Sequence, residues 1–284
     1  MKKILLTGGD GFFCSRFKKE YENKYEIIST NRKSLDVTNK ENVLKIFEKY
    51  RPDYVIHGAA IAVTDFCNDN PKIAYNINVE GALNVGKACK KIGAKLIFLS
   101  SEQVFNGNRE SGPYSEEDKA FPNTVYGENK LEAENLLKDI IHEMWIIRFT
   151  WLFGLPERNL KTSENILWGT FKNLLKRERI LASPNEFRGM TYVYEIIEEF
   201  PKIFNIPYGT YHLGSTNNLS RYDIVKLILN RLGNKNIEGI LIKDNKYSNN
   251  KRDIRLDTSK ASEFGIKFTD TDKIIEKVIS DLKI

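Results

Sequence analysis

The residues best suited to chemistry are a tyrosine and a lysine four positions apart, Tyr126 and Lys130. Residues 131–137 combine good helix formers with apolar side chains three and four positions apart, which predicts a helix. Turn and cap residues at 121–124 place Tyr126 in the first turn, so the two side chains share one helix face. An ammonium group beside a phenol lowers a pKa that is ordinarily about 10 and prepares the phenol for proton transfer. By itself this pattern is also common on surface helices that have no chemical role.

A second motif lies near the N-terminus, where the apolar segment 3–7 leads into a glycine-rich turn and a helix. Strand, glycine turn and helix are the context of a dinucleotide-binding site. The glycines permit a tight turn and a close approach of the backbone to a pyrophosphate at the helix N-terminus. Cys14 replaces the third glycine of the pattern, so we expect helix and strand to lie slightly further apart. The expected cofactor contacts in this turn are Gly8, Gly11, Phe12 and Phe13.

The end of the second predicted strand, residues 25–29, bears on the choice of cofactor. Sites that select NAD usually place an acid there to bind the ribose 2′-hydroxyl. This chain has Arg32 and Lys33 after the strand and no carboxylate. Cations suit a 2′-phosphate, so NADP(H) is favoured over NAD(H). The alternative is an ordinary basic loop.

Strands and helices alternate through residues 3–150, which predicts an α/β fold with a doubly wound parallel sheet of the Rossmann type. Ligands of such sheets bind beyond the carboxyl ends of the strands. The small residues Gly58, Ala59 and Ala60 follow one predicted strand, and Ser101 ends another. We predict a dinucleotide-binding domain over residues 1–150, to which a segment at about 190–207 returns. A smaller, mixed α/β substrate domain would take most of residues 151–284.

Composition narrows the class of protein. The chain has 284 residues, of which 41% are hydrophobic and 11% aromatic, as in globular domains. Its net charge of +6 is spread along the chain, so nucleic-acid binding is not indicated. No apolar run approaches the about 20 residues that cross a bilayer, and the first residues predict a strand rather than a signal peptide. Three cysteines and three histidines without ligand-like spacing predict no metal site and indicate a reducing cytoplasm.

The chain contains a glycine turn, a serine at a strand end and Tyr-x-x-x-Lys in this order. It therefore resembles the extended short-chain dehydrogenase/reductases. The resemblance is greatest to the dTDP-4-dehydrorhamnose reductase family and its relatives that act on nucleotide-linked keto sugars. It extends over nearly the whole chain and includes residues 35–38, 51–56, 74–78, 93–96, 104–107, 126–134, 147–151, 209–212 and 256–260.

The resemblance implies a reaction in which NAD(P)H delivers hydride to a carbonyl carbon. Tyr126 would be the general acid, Lys130 would hold the nicotinamide ribose and lower the pKa of Tyr126, and Ser101 would hydrogen-bond the substrate oxygen. Arg188 would lie near the substrate diphosphate and Trp151 would pack on the substrate; a surface arginine and a core tryptophan are the alternatives. The remaining expected contacts are Asp36, Val37 and Asn78 with the cofactor, and Glu102 and Gln103 with the substrate.

Several positions depart from the family pattern. Glu102 and Gln103 stand where the reductases usually have aspartate and tyrosine, Ala62 replaces a frequent threonine, and Met190 replaces the usual proline. These changes leave the identity of the sugar open. Gln103 cannot accept a proton as a base, which counts against a related 4,6-dehydratase activity.

We therefore expect a reductase of a nucleotide-linked 4-keto-6-deoxy sugar used in surface polysaccharide. One alternative is an epimerase that retains NAD and oxidises and then reduces the same carbon. Another is a non-catalytic NADP-binding regulatory subunit like the β subunit of methionine adenosyltransferase. The expected partner is the nucleotide-sugar substrate, with a homodimer as an option and neither nucleic acid nor membrane.

Overall fold

A computed structural model describes residues 1–282 and contains a central six-stranded sheet in which every pair of neighbouring strands is parallel. In chain order the strands of the molecule are β1 (Lys3–Thr7), β2 (Glu26–Ser29), β3 (Tyr54–His57), β4 (Lys95–Ser101), β5 (Met144–Phe149), β6 (Trp151–Phe153), β7 (Ile180–Ala182), β8 (Glu186–Phe187), β9 (Met190–Tyr192), β10 (Gly209–Leu213), β11 (Leu241–Lys243) and β12 (Arg252–Asp253).

Helices connect these strands and cover the sheet on each side. They are α1 (Phe12–Tyr21), α2 (Lys40–Tyr50), α3 (Thr64–Asp69), α4 (Pro71–Tyr75), α5 (Gly81–Ile92), α6 (Val125–Ile140), α7 (Ile166–Lys176), α8 (Val193–Glu199), α9 (Arg221–Arg231), α10 (Ile237–Ile240), α11 (Ser259–Glu263) and α12 (Thr271–Asp281). None of the helices in residues 1–282 combines the length and the apolar character needed to cross a membrane.

The strand order of the central sheet is β10-β5-β4-β3-β1-β2. The chain runs outward from β1 to β2 and then returns to the other side of β1 to begin β3. The connections at the carboxyl ends of β1 and β3 therefore leave in opposite directions and open a crevice between them. This order confirms the predicted Rossmann-type sheet and gives the position of its ligand crevice.

The sheet is buried on its two faces, which explains the continuous apolar runs of its strands. All six residues of β5 are buried. One core lies between the sheet and helices α1 and α8 and includes Phe13, Phe17 and Phe200. The core on the opposite face lies under α2, α5 and α6 and includes Val43 and Leu137.

A second, smaller lobe consists of three two-stranded parallel pairs, β6 with β9, β7 with β11 and β8 with β12, together with α7, α9 and α12. Its core includes Phe153, Ile224 and Ile275. The predicted domain boundaries stay a prediction. The segment that returns to the first lobe contains α8 and continues into β10, so the last strand of the sheet lies past residue 207.

The helical segment over residues 71–92 is divided in the structure. A π-helical turn at Asn76–Glu80 separates α4 from α5. A π-helical turn inserts a residue into the hydrogen-bond ladder and is frequent at functional sites. Here the turn carries Asn78, whose side chain is buried and pairs with a loop of the ligand crevice.

Candidate active site

Helix α6 begins beside the end of β4 because its first turn approaches the backbone there. The Thr124 side chain caps the helix by accepting a hydrogen bond from the Gly127 N–H at 3.2 Å. A Cβ atom on Gly127 would lie 2.5 Å from the carbonyl oxygen of Gln103, so only glycine permits this approach. The close contact places Tyr126 next to Ser101, the last residue of β4.

The Tyr126 side chain is buried in a small cluster with Cys67 and Ala74, and Ile61 packs against this cluster. Burial raises the pKa of Tyr126, and a hydrogen bond with Ser101 opposes that rise. The expectation that Lys130 lowers this pKa stays a prediction. In this structure the loss of hydration outweighs the hydrogen bond. A phenol in this state stays protonated at neutral pH, as a general acid must.

Lys130 lies one turn further along α6 and is also buried. Its Nζ donates a hydrogen bond to the Leu99 carbonyl at 2.7 Å and lies 4.7 Å from the centroid of the Phe98 ring. Burial lowers the pKa of Lys130 to about 8, and the nearby Glu134 carboxylate opposes this change. The ammonium group is thus held at the end of β4 by a strand carbonyl and an aromatic face.

Glu134 continues the same helix face and is fully buried. It accepts hydrogen bonds from Arg148 Nε at 3.0 Å and from Arg148 Nη2 at 2.6 Å, and it also pairs with the Ser100 hydroxyl. Ser100 contacts Glu134 and Ser101 contacts Tyr126, so two adjacent residues at the end of β4 meet α6 at positions two turns apart. The sequence analysis did not identify this ion pair, although the spacing of Tyr126, Lys130 and Glu134 on one helix face contains the signal.

Ser101 is placed to serve as a donor at this strand end. Its Oγ accepts a hydrogen bond from the Gln103 N–H at 3.3 Å and so caps the 3-10 turn Glu102–Phe105. Because the hydroxyl accepts this bond, its own proton remains available to another acceptor.

A cleft of about 590 Å³ opens at the carboxyl ends of β1 and β3. Its floor is backbone: Gly8 has φ +65°, and a Cβ atom there would lie 2.7 Å from the Ala59 nitrogen. Glycine is thus required where the β1 turn passes the β3 turn. Most of the cofactor residues that the sequence predicts line this cleft: Gly8, Gly11, Arg32, Asp36, Val37, Gly58, Ala59 and Ala60.

The residues at the edge of the cleft suit the binding of a dinucleotide. Helix α1 begins at its edge with Gly11 as N-cap, no side-chain cap and no acid in the first turn. Free N–H groups therefore face the place where a pyrophosphate would lie. Thr38 donates hydrogen bonds to Asp36 from its hydroxyl at 2.7 Å and from its N–H at 3.0 Å, which lowers the pKa of Asp36 and fixes its orientation.

Five residues expected to contact the cofactor do not line this cleft. Phe13 belongs to the core, with its ring centroid 4.8 Å from that of Phe200, and Phe12 packs under the Arg16 guanidinium. Asn78 acts on the cleft indirectly, because its amide donates to the Ile61 carbonyl at 3.0 Å and accepts from the Ile61 N–H at 2.8 Å. The remaining pair, Tyr126 and Lys130, is buried, and Ile61, which lines the cleft, packs against the cluster that contains Tyr126.

The structure also accounts for Cys14 at the third glycine position. A Cβ atom on Gly58 would lie 2.7 Å from the Cys14 sulfur, so the absence of a side chain at Gly58 leaves room for the Cys14 side chain of α1. The expected separation of helix from strand stays a prediction. Cys14 is 2% exposed, and burial raises the pKa of its thiol to about 12. The thiol is consequently a packing group.

A second cavity, of about 470 Å³, lies between the turn after β3 and the smaller lobe. Two residues that the sequence assigns to the substrate, Trp151 and Arg188, line it. The Arg188 guanidinium lies 4.6 Å from the centroid of the Trp151 ring, a cation–π contact. The cavity therefore presents an aromatic face and a cation together.

Glu102 and Gln103, also expected at the substrate, lie behind the wall of this cavity instead. Glu102 is fully buried and forms an ion pair with Arg188, whereas its Oε2 has no hydrogen-bond partner among the described residues. Burial raises the pKa of Glu102 to about 7, and the charges of Arg188 and Arg252 oppose this rise. The carboxylate follows directly after a buried strand, and the tertiary fold brings the arginines to it.

Residues that the sequence analysis did not select complete the charged wall. Glu186 and Arg221 line the cavity and pair at 3.3 Å. Arg252 pairs with Glu186 and donates a 3.3 Å hydrogen bond to the Gln103 amide oxygen. These residues are more than 80 positions from Glu102 in the chain, so no local pattern indicates that they meet. The wall contains three arginines and two glutamates: Arg188, Arg221, Arg252, Glu102 and Glu186.

A Rossmann-type sheet with a glycine-lined cleft and, at its carboxyl edge, a serine beside a buried tyrosine and lysine defines an extended short-chain dehydrogenase/reductase. The whole chain, residues 1–284, matches the family model described as RmlD substrate binding domain. The protein belongs to this family.

Similar proteins agree with this assignment. SpsK, a spore coat polysaccharide biosynthesis protein of Bacillus subtilis, is 30% identical over 82% of this chain and 80% of its own. A dTDP-4-dehydrorhamnose reductase of Aggregatibacter actinomycetemcomitans is 30% identical over 78% of this chain and 76% of its own. The crystal structure of dTDP-4-dehydrorhamnose reductase from Bacillus anthracis in complex with NADP is 26% identical. It covers 99% of each chain with a TM-score of 0.85.

More distant matches bear on the two alternative functions. Relatives named methionine adenosyltransferase 2 subunit beta are 22% to 26% identical to this chain. Solved UDP-glucose 4-epimerases are 17% to 22% identical, and at that level the likeness shows the fold alone. The alternatives are therefore less well supported than the reductase.

Proposed function

We propose that this protein is an NADPH-dependent reductase of the keto group of a nucleotide-linked 4-keto-6-deoxy sugar. The observation that carries the proposal is the burial of Tyr126 and Lys130 on one face of α6, beside Ser101 at the end of β4. These three groups lie at the carboxyl edge of the sheet, where the dinucleotide cleft also opens. The family relatives named as reductases, including one solved with NADP, support the same reaction.

The cofactor supplies the hydride when bound, and the protein holds and orients it. The glycine turn, the N-terminus of α1 and the loop of Gly58 would hold its phosphates and sugars. Arg32 lines the cleft at the end of β2 and would meet a ribose 2′-phosphate. Guanidinium binds phosphate with two parallel hydrogen bonds, which favours NADPH over NADH.

The chain's own groups would act on the substrate oxygen. Ser101 donates a hydrogen bond to the carbonyl and stabilises the negative charge that grows there. Tyr126 transfers its phenolic proton to that oxygen, and its raised pKa keeps the proton in place until then. Lys130, whose pKa is lowered to about 8, provides positive charge next to the phenolate that remains.

The substrate would extend from these groups into the cavity of Trp151 and Arg188. The diphosphate of a sugar nucleotide carries negative charge, and Arg188 and Arg221 present two cations to it. The Trp151 ring offers an apolar face on which a deoxy sugar can pack.

The reductase activity is tested by Tyr126→Phe. Removal of a general acid costs about 100- to 10,000-fold in rate, so turnover of a dTDP-4-keto-6-deoxy sugar with NADPH should nearly disappear. A matched control is Tyr75→Phe, because Tyr75 donates a 2.8 Å hydrogen bond to Glu132 on the same helix but lies outside the site. Circular dichroism and NADPH binding should stay normal in the two variants. Unchanged turnover in Tyr126→Phe would exclude the proposal.

A regulatory role without catalysis is a second candidate, favoured by the relatives named methionine adenosyltransferase 2 subunit beta. Such a protein should bind NADPH, reduce none of a panel of keto sugars and co-purify with a synthetase. The epimerase alternative predicts instead that nicotinamide stays bound during purification and absorbs light in the purified protein.

We also place the protein in the cytoplasm, since its three cysteines are free and buried and thus suit a reducing compartment. A homodimer remains part of the proposal. Light scattering of the purified protein would measure the mass of the assembly.

A further inference from the structure

A segment of the smaller lobe crosses over the dinucleotide-binding helix. We name residues 155–161, between β6 and α7, the strap. The strap is tied to α1 by Arg16, which is 1% exposed and therefore fully desolvated. Arg16 Nε pairs with Glu157 Oε1 at 2.8 Å, and Lys19 of α1 pairs with the same carboxylate at 3.1 Å.

Arg16 also fixes the far end of the strap. Its Nη1 donates to the Phe12 carbonyl at 3.0 Å and to the Lys161 carbonyl at 3.1 Å. One nitrogen atom therefore joins the first turn of α1 to residue 161. The backbone of Lys161 must consequently lie beside the N-terminal end of that helix.

The Lys161 residue lines the cofactor cleft together with Gly8 and Gly11 of the glycine turn. Among the described residues 1–282 it is the only lining residue that comes from beyond residue 150, and it is exposed, so its ammonium group is hydrated. Asp10 also lines this part of the cleft and receives a 2.9 Å hydrogen bond from Asn31. A carboxylate there opposes the binding of phosphates, which makes a compensating cation valuable.

We propose that Lys161 is a cofactor-binding residue that contacts the pyrophosphate of the dinucleotide from the opposite lobe. This inference rests on the proposed function for the presence of a dinucleotide. It adds a ligand outside the glycine turn, on a segment whose backbone Arg16 holds against α1. Two of the cations that line the cleft then have separate tasks: Lys161 binds the pyrophosphate at the α1 end, and Arg32 binds the 2′-phosphate at the β2 end.

The division of tasks gives a test with opposite outcomes for two variants. The pyrophosphate is common to NADPH and NADH, whereas the 2′-phosphate belongs to NADPH alone. Lys161→Gln should therefore weaken the binding of NADPH and NADH by the same factor, about ten-fold for the loss of one charged contact. Arg32→Gln should weaken NADPH binding and leave NADH binding unchanged.

Dissociation constants measured by calorimetry at low and high salt would decide between the outcomes. Lys19→Gln is the matched control, since Lys19 pairs with the strap but does not line the cleft, and its affinities should equal those of the wild type. Loss of the Lys161 charge should also reduce the salt dependence of binding. The melting temperature without cofactor should not change, because the side chain is exposed.

Equal affinities of the wild type and Lys161→Gln for each dinucleotide would overturn the inference. A loss confined to NADPH would overturn it too, since the contact would then be with the 2′-phosphate. Failure of the wild type to bind either dinucleotide would instead refute the proposed function, so the two failures are distinguishable.

Discussion

The two cavities of this protein are built in different ways. The cofactor cleft is formed by backbone turns and small residues that follow consecutive strands of one sheet, such as Gly8 and Gly58. The second cavity, which we propose binds the substrate, is lined by long charged and aromatic side chains, such as Trp151 and Arg188. Its charged groups are supported by a buried partner, Glu102, from a distant part of the chain.

Because of this difference, the two cavities should tolerate different substitutions. A cleft made of backbone is sensitive to added volume, because a single Cβ atom meets main-chain or sulfur atoms at under 3 Å. A cavity made of paired charges is sensitive to the loss of one partner, because the other is left buried and unpaired. The predictions below compare these two sensitivities, from the largest expected effect to the smallest.

The largest effect is expected for Arg188→Met. Removal of the guanidinium leaves Glu102 buried without its main partner, which costs about 3–5 kcal/mol of unfolding free energy. Urea denaturation at pH 8 measures this loss. Adding Glu102→Gln to the same chain should restore much of the stability, since no buried charge then remains. A loss no greater than that of Glu102→Gln alone would contradict the charged-wall interpretation.

The second-largest expected effect is the pH dependence that Glu102 gives to the unfolding free energy of the wild type. Its folded pKa is raised from 4.5 to about 7, so the folded protein holds an additional proton between these values. The stability contribution of Glu102 is complete below pH 4.5 and is lost as the pH rises through 7. The unfolding free energy of the wild type relative to Glu102→Gln should fall by about 3 kcal/mol across this window. A constant difference would show that Glu102 does not titrate there.

A smaller effect is expected for added volume in the cofactor cleft. Gly58→Ala places a methyl group 2.7 Å from the Cys14 sulfur and should cost about 1–3 kcal/mol and weaken NADPH binding. In a Cys14→Ala background the same substitution should cost much less, since the sulfur is gone. A double-mutant cycle measures this coupling, and additive effects would mean that the two residues do not compete for space.

The smallest effect is expected for Trp151→Leu. This change removes the ring that contacts the Arg188 guanidinium and costs about 1 kcal/mol, or roughly a five-fold rise in KM for the sugar nucleotide. The dissociation constant of NADPH should not change, because Trp151 lines the second cavity and not the cofactor cleft. A matching loss of cofactor affinity would show that the two cavities are not separate.

The sequence predicts the sheet and its helices well because their signals are local. Apolar runs such as residues 3–7 must be buried, and their alternation with helices leaves few topologies. The start of α6 at Val125 agrees with the predicted cap, since Thr124 accepts the hydrogen bond from Gly127. The π-helical turn at Asn76–Glu80 was not predicted; it carries Asn78, which pairs with Ile61 on a separate loop.

The electrostatic details of the site were harder to predict. The sequence places Lys130 near Tyr126 but does not show how completely the pair is buried, and burial decides the direction of both pKa changes. It also contains no signal that Arg16 ties residues 155–161 to α1, since the partners are about 140 positions apart.

The sequence by itself determined the order of strands and helices, the glycine turn and the spacing of tyrosine and lysine on one helix face. Each of these depends on contacts between residues that are near one another in the chain. The tertiary structure alone decided which charges meet, how far they are desolvated and that Lys161 reaches the cofactor cleft. Those properties depend on packing between distant segments. Packing removes water from around a charged group, and this loss of water changes both its pKa and the strength of its electrostatic interactions.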